Sequence, residues 1–276
     1  MILRKGDKGE EVKELQKLLD LKIDGDFGPK TEAAVKKYQE KNGLIIDGIV
    51  GSKTWSKLKK PLPISHSKYL WIFDNGHGGI IDGVYQTSGK RSPMWEDGTQ
   101  LFEGEFNRSI VDRLIKMCNE AGIECFNLVD TQVDISLRKR TDKANDIWRE
   151  QHDNNGKSCI YVSIHANGFS KESAHGWSVY TTPGENKSDK IAQILFNKAK
   201  EEFPDHKMRK DTKDHDDDKE ANFWVLRKTV MPAILSENFF MTNKKESKLL
   251  LSEEGRDRIA KIHFEMIQEV ENKNYL

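Results

Sequence analysis

No run of apolar residues in the chain approaches the length needed to cross a bilayer, which excludes a helical membrane protein. The opening residues, MILRKGDKGEEV, lack the apolar core of a secretory leader. With no signal peptide, the expectation is synthesis in a cytoplasm, with any outside site of action reached after release by another route. Neither sign of charge is in excess. The 45 lysines and arginines balance 45 acids, so there is no overall field to grip DNA or an anionic membrane. Neither nucleic acid nor membrane insertion is therefore expected. Cysteine is scarce: Cys118, Cys125 and Cys159 form an odd set without CxxC spacing, which reads as three reduced thiols rather than a disulfide framework. An HExxH helix, the commonest zinc-protease signature, is missing as well.

What is present divides in two. At 276 residues the chain accommodates two domains, one of them large enough to bury a substantial core. The N-terminal part repeats itself: Ile23-Asp24-Gly25-Asp26-Phe27-Gly28-Pro29-Lys30-Thr31 returns as Ile46-Asp47-Gly48-Ile49-Val50-Gly51-Ser52-Lys53-Thr54. In each copy Asp-Gly supplies a positive-φ turn and the threonine an N-cap for the helix that follows. Val12, Leu15, Leu18 and Leu19 share one helical face; Ala34, Val35 and Tyr38 share another, which ends at Asn42-Gly43; Trp55 and Leu58 lie in a last short helix. Phe27 and Trp55 belong to the core on this view. A small all-α three-helix domain over 1–60 follows.

The stretches GDKGEEVKELQ, IDGDFGPKTEAAVKKYQ and IDGIVGSKTW resemble the peptidoglycan-binding-like domain common in wall hydrolases, over residues 3–58. The resemblance implies a hold on peptidoglycan; a bundle used only as a structural cap or dimer contact is the alternative. Residues 61–68, with Pro61 and Pro63, read as a short semi-rigid linker.

Over 69–276 the pattern alternates. Strand-like runs fall at 69–74, 123–129, 158–164, 176–181, 223–226 and 233–235, and helical ones at 106–121, 191–203 and after Ser252. Strands alternating with helices predict an α/β domain, its mixed or mainly parallel sheet flanked by helices. In such sheets chemistry gathers outside the C-terminal ends of the strands. Three ends carry suitable groups: Asn75-Gly76-His77-Gly78-Gly79, His165-Ala166-Asn167 and Glu237-Asn238. Two imidazoles and a carboxylate suffice for a catalytic zinc with a fourth position open. Glu103, just before the helix at 106–121, is the candidate carboxylate, with Glu105 as the alternative because a helix N-terminus favours acids at both positions. Glu237 suits a proton-shuttling role. Taken singly, His77 and His165 read equally well as structural histidines.

The segments DNGHGG (74–79), EGEFN (103–107), SLRKRTDKAN (136–145), YVSIHAN (161–167), HGWSVYTT (175–182) and FWVLRKTVMPAILSENFFMTN (223–243) stand in the order found in zinc-dependent N-acetylmuramoyl-L-alanine amidases of the amidase-3 type. Residues 69–270 resemble that family nearly throughout. The resemblance implies one Zn2+ held by His77, Glu103 and His165, Glu237 as catalytic acid/base, and hydrolysis of the amide between N-acetylmuramic acid and L-alanine. Together with the wall-binding module and the missing leader it looks like a phage endolysin; a bacterial autolysin is the alternative home.

Asn167 and Arg209 are candidate substrate contacts. The long segment between Gly79 and Glu103, with Tyr85, Arg91, Trp95 and Glu96, is expected to line the groove, a surface excursion being the alternative. The acidic run around His215 and Asp216 to Asp218 reads as a solvated loop rather than a second metal site. Two rival functions remain: a zinc peptidase cutting within the stem peptide, and a non-catalytic wall-binding protein. A Cys159–His165 peptidase is poor, since the two residues would lie six apart on one strand, roughly 20 Å along an extended chain.

Overall fold

The computed structural model describes residues 2–19, 21–58, 67–211 and 216–273. Nearly all of the linker expected at 61–68, and His215, fall outside them. The chain divides into two compact units, Met1–Leu62 and Pro63–Leu276.

The first unit holds α1 (Glu10–Leu18), α2 (Pro29–Lys41) and α3 (Ser52–Leu58). Glu10 and Glu11 place negative charge at the start of α1, where the free amides favour it. Proline occupies the first position of α2, so Gly28 is its N-cap and not Thr31. Val12, Leu15, Phe27, Val35, Val50, Trp55 and Leu58 form the core, whereas Leu18, expected on that face, is exposed at the end of α1. The repeat is organised by two buried glutamines. Gln16 donates through Nε2 to Asp24 Oδ1 (2.7 Å) and the Asp26 carbonyl (3.0 Å), lies 3.3 Å from Thr31 Oγ1, and accepts the Gly25 amide (2.9 Å). Gln39 does the same with Asp47 (2.8 Å), the Ile49 carbonyl (2.9 Å), Thr54 (3.3 Å) and Gly48 (2.9 Å). Each threonine therefore faces inward to a glutamine.

The second unit contains, in order, β1 (Tyr69–Asn75), β2 (Ile80–Ile81), β3 (Val84–Tyr85), α4 (Glu103–Ala121), β4 (Cys125–Asn127), α5 (Leu137–Asn155), β5 (Ser158–Asn167), β6 (Ser178–Thr181), α6 (Lys187–Glu202), β7 (Lys219–Glu220), α7 (Trp224–Arg227), β8 (Ala233–Phe240), α8 (Lys244–Leu251) and α9 (Glu253–Asn272). A mixed sheet runs β4-β1-β5-β8-β6-β7; the first four strands are parallel, and β6 with β7 runs antiparallel to β8. Alternation along the strands builds two cores. Trp71, Phe73, Ile160, Val162 and Ile234 face α4, α6 and α9. Leu70, Ile72, Cys159, Tyr161, Ala233 and Leu235 face α5 and α7. The sheet is thus covered on both faces.

Two expectations change, and one helix was not anticipated. The run at 223–226 is the start of a single helical turn, α7, in which Val225 and Leu226 are buried and the Thr229 hydroxyl donates to both their carbonyls. Four apolar residues cannot by themselves distinguish a strand from one helical turn. Helix α4 begins at Glu103, three residues before the apolar pattern does, because its first turn faces the site and not the core. The polar sequence of α5 hid a helix whose start Ser136 caps by accepting the Lys139 amide at 3.3 Å.

Candidate metal centre

β1 delivers His77 through a tight exit. A Cβ at Gly76 would fall inside the His165 ring, so only glycine allows the two segments to approach. His77 itself adopts a left-handed backbone (φ 69°), a conformation costing a β-carbon residue about 1–2 kcal/mol. Two guanidinium groups stabilise it: Arg108 Nη2 (3.1 Å) and Arg140 Nη2 (3.3 Å) both donate to the His77 carbonyl. Arg140 is buried, and its Nη1 pairs with Asp74 and donates to the Asn75 carbonyl (2.9 Å). Asp74 also accepts from Tyr161 (2.7 Å) and Ser163 (2.8 Å). Burial, the largest single influence, pushes its carboxyl up; the charges of Arg140 and His165 and the hydrogen bonds from Tyr161 and Arg140 together outweigh it and hold the group below the ordinary range.

Glu103, at the first position of α4, projects between the two imidazoles. Its Oε1 lies 2.9 Å from His165 Nδ1 and 3.2 Å from His77 Nε2. The rings stand 4.9 Å apart, nearly perpendicular. One donor atom from each of the three residues lies within 4.8 Å of the others, and among the described residues no other group of three or more histidine, cysteine or acidic side chains does this. His77 Nε2, angled away from hydrogen-bond geometry, and Glu103 Oε2 are buried without a hydrogen-bond partner. Buried polar atoms left in this way fit a metal ion. Glu105 is used differently: it accepts the Ile80 amide at 3.0 Å.

Glu237 lies opposite His165 in the β5–β8 pairing, and period two puts both on one face. Just beyond, the register slips and Phe239 takes a left-handed backbone (φ 63°), a bulge of the kind found beside active sites. Glu237 Oε2 is buried without a hydrogen-bond partner. Burial pushes this carboxyl up to about 7; the charge of Glu103 adds to the rise, while His165 and Lys90 oppose it.

Two cavities flank the centre. One, of about 380 Å3, is lined by His77, His165, Asp134, Ser136, Leu137 and Arg140 among others. The other, of about 400 Å3, runs from Glu237 past Asn167 to Lys90, Arg91, Phe169 and Thr242. Asn167 thus stands beside Glu237. Arg209 lines neither cavity; its guanidinium donates to the His175 carbonyl (3.3 Å) and lies over the Phe240 ring. Of the long 79–103 segment, Arg91 reaches the groove. Trp95 does not: it is buried and donates to Ser247 Oγ (2.9 Å), as a large aromatic does when it anchors a loop. Tyr85 packs on Phe102 and accepts the Gly104 amide (2.9 Å), and Glu96 pairs with Lys244 on the surface. Sequence reasoning missed Asp74, Arg108, Arg140 and Lys90. Asp74 and Arg140 lay inside quoted segments, but nothing local reveals that they meet.

Two imidazoles from the ends of parallel strands and a carboxylate from the start of α4, beside the buried Glu237, make a candidate metal centre in an α/β domain. The chain belongs to the N-acetylmuramoyl-L-alanine amidase family, whose model matches residues 72–269, and residues 8–58 match a putative peptidoglycan binding domain. It is 28% identical over 248 residues to an uncharacterized cell wall amidase of Bacillus anthracis, covering 87% of this chain but only 43% of that relative. It is 25% identical to an endolysin of Bacillus phage SPP1 over 214 residues, 75% of this chain and 67% of the endolysin. Among solved structures, the amidase AmiC2 of Nostoc punctiforme shares the fold, with a TM-score of 0.57 and 23% identity over 76% of this chain and 100% of that one. No helix among the described residues is long and apolar enough to cross a membrane.

Proposed function

We propose that the chain hydrolyses the amide joining the lactyl group of N-acetylmuramic acid to L-alanine in bacterial peptidoglycan, with one zinc ion held by His77, Glu103 and His165. The observation that carries this is the convergence of those three donors beside Glu237. When bound, the ion polarises the scissile carbonyl and brings the pKa of water to about 7. Arg108, Arg140 and Asp74 hold His77 in place for it. Glu237, poised near neutrality, takes the proton of the attacking water and hands it to the leaving L-alanine nitrogen. Asn167 contacts the substrate beside it. The first unit holds the enzyme on the insoluble polymer. Similarity to a phage endolysin supports action on the wall of the host cell that makes the protein, after release from its cytoplasm.

Product analysis tests this directly. Purified peptidoglycan digested by the zinc-loaded chain should yield muramic acid freed of its peptide. A chelator should stop the reaction and added zinc restore it. New amino termini within the stem peptide would instead identify a peptidase, and intact walls a binding protein.

A further inference from the structure

The two cavities beside the metal centre are not equivalent, and the proposed chemistry tells them apart. Cleavage of the amide requires a proton on the leaving nitrogen, and Glu237 is the group that delivers it. The leaving nitrogen and the peptide attached to it therefore lie on the Glu237 side. That side is the cavity of about 400 Å3, where Glu237 is the only acid among the lining residues and Lys90 and Arg91 supply two adjacent cations. The opposite cavity is lined by Asp74 and Asp134, both already engaged with Arg140. An anionic group suits the first and not the second.

The backbone fixes both cations relative to the site. The Lys90 carbonyl accepts the Glu103 amide (3.0 Å), Arg91 bridges to Phe102, and the Ser92 amide donates to the Leu101 carbonyl (2.8 Å). The Lys90 ammonium lies 4.0 Å from Glu103 Oε2. The Arg91 side chain is exposed, and its guanidinium makes no ion pair or side-chain hydrogen bond among the described residues. It is a planar double donor facing the groove with nothing to hold.

Stem-peptide chemistry offers a matching group. The residue after L-alanine is a glutamate joined onward through its γ-carboxyl, so its α-carboxyl projects from the chain, either free or capped as a carboxamide. One residue spans about 3.8 Å between α-carbons, which sets this group one step from the scissile bond. A free carboxylate takes two parallel bonds from a guanidinium; a carboxamide has one acceptor oxygen and presents N–H donors to the cations. Resting on the amidase reading above, we propose that Arg91, aided by Lys90, binds this α-carboxylate and makes the enzyme selective for stems that carry it uncapped.

The zinc-loaded full chain should be given N-acetylmuramoyl-L-alanyl-D-glutamate with its γ-carboxyl blocked as an amide, and the α-carboxamide counterpart of the same compound. The acid should be favoured about tenfold in kcat/KM, with the difference in KM, and Arg91→Met should bring the ratio close to one. A binding arm needs no turnover: L-alanyl-D-glutamate with its γ-carboxyl blocked as an amide should bind the chain about tenfold more tightly than its α-carboxamide in calorimetric titration, and Arg91→Met should remove that difference. Cleavage of both substrates at equal efficiency, or a preference that survives in Arg91→Met, overturns the proposal and leaves the amidase intact. If neither substrate is cleaved while the dipeptides still differ in affinity, the amidase reading fails and the carboxylate site stands. Absence of both cleavage and preference refutes the two together.

Discussion

Glu237 can change its charge near neutral pH because it is buried beside a second carboxylate, Glu103. Replacing it with glutamine keeps the shape and removes the proposed proton carrier. Glu237→Gln should therefore lower kcat on muropeptides by about a hundred- to ten-thousand-fold, with zinc content by metal analysis unchanged. Full activity in that variant would remove Glu237 from the chemistry. Behind the site, Asp74 and Arg140 form a buried pair. Their burial makes the pair costly to break, since the surviving charge has no water to turn to. Asp74→Asn should destabilise the chain by about 3–5 kcal/mol in urea unfolding. It should also weaken zinc binding, because Arg140 bonds the His77 carbonyl. A loss of stability with metal affinity untouched would mean that the pair does not position His77.

Helix α9 is fastened to β8 by a histidine that must stay neutral. His263 is fully buried, with Nδ1 on the Ile259 carbonyl (2.8 Å) and Nε2 on Ser236 Oγ (2.9 Å). Burial depresses its pKa from 6.5 to about 4. Between those values the unfolded chain binds the proton and the folded chain does not. The stability this group contributes is thus present in full above about pH 6.5 and is lost as pH falls toward 4, by roughly 3 kcal/mol. Urea unfolding of metal-free protein at several pH values should show a shallower acid slope in His263→Gln than in the parent; identical slopes would assign the loss elsewhere. The same helix was legible from its apolar spacing, as were β1, β5 and β8 from their apolar runs. Helix α5 was not, since most of its surface is solvated and it turns few residues to the sheet. Site residues were visible where glycines and histidines interrupt a strand end. Arg140 was not, because its partners Asp74 and His77 lie far away in sequence and only packing of α5 on the sheet brings them together.

At the scale of the molecule, two units with separate cores share one chain, and the proposed function gives each a different part of the work. The first has no counterpart of the metal centre among its described residues, and its internal repeat closes on Gln16 and Gln39. Gln39→Ala would leave the Gly48 amide and Asp47 without their partner and should cost about 1–3 kcal/mol in the unfolding of that unit alone. What such a unit adds to catalysis is proximity. An enzyme held on an insoluble polymer meets its next bond at an effective concentration set by the connector, which for short connectors reaches about the millimolar range. On a small soluble muropeptide there is nothing to be held on. Residues 63–276 expressed alone should therefore cleave the soluble substrate with a kcat/KM within about twofold of the full chain. On purified walls at nanomolar enzyme they should act at least about tenfold more slowly, and the gap should close as enzyme concentration rises. Equal rates on walls at every concentration would show that the repeat serves as a structural cap and not as a tether.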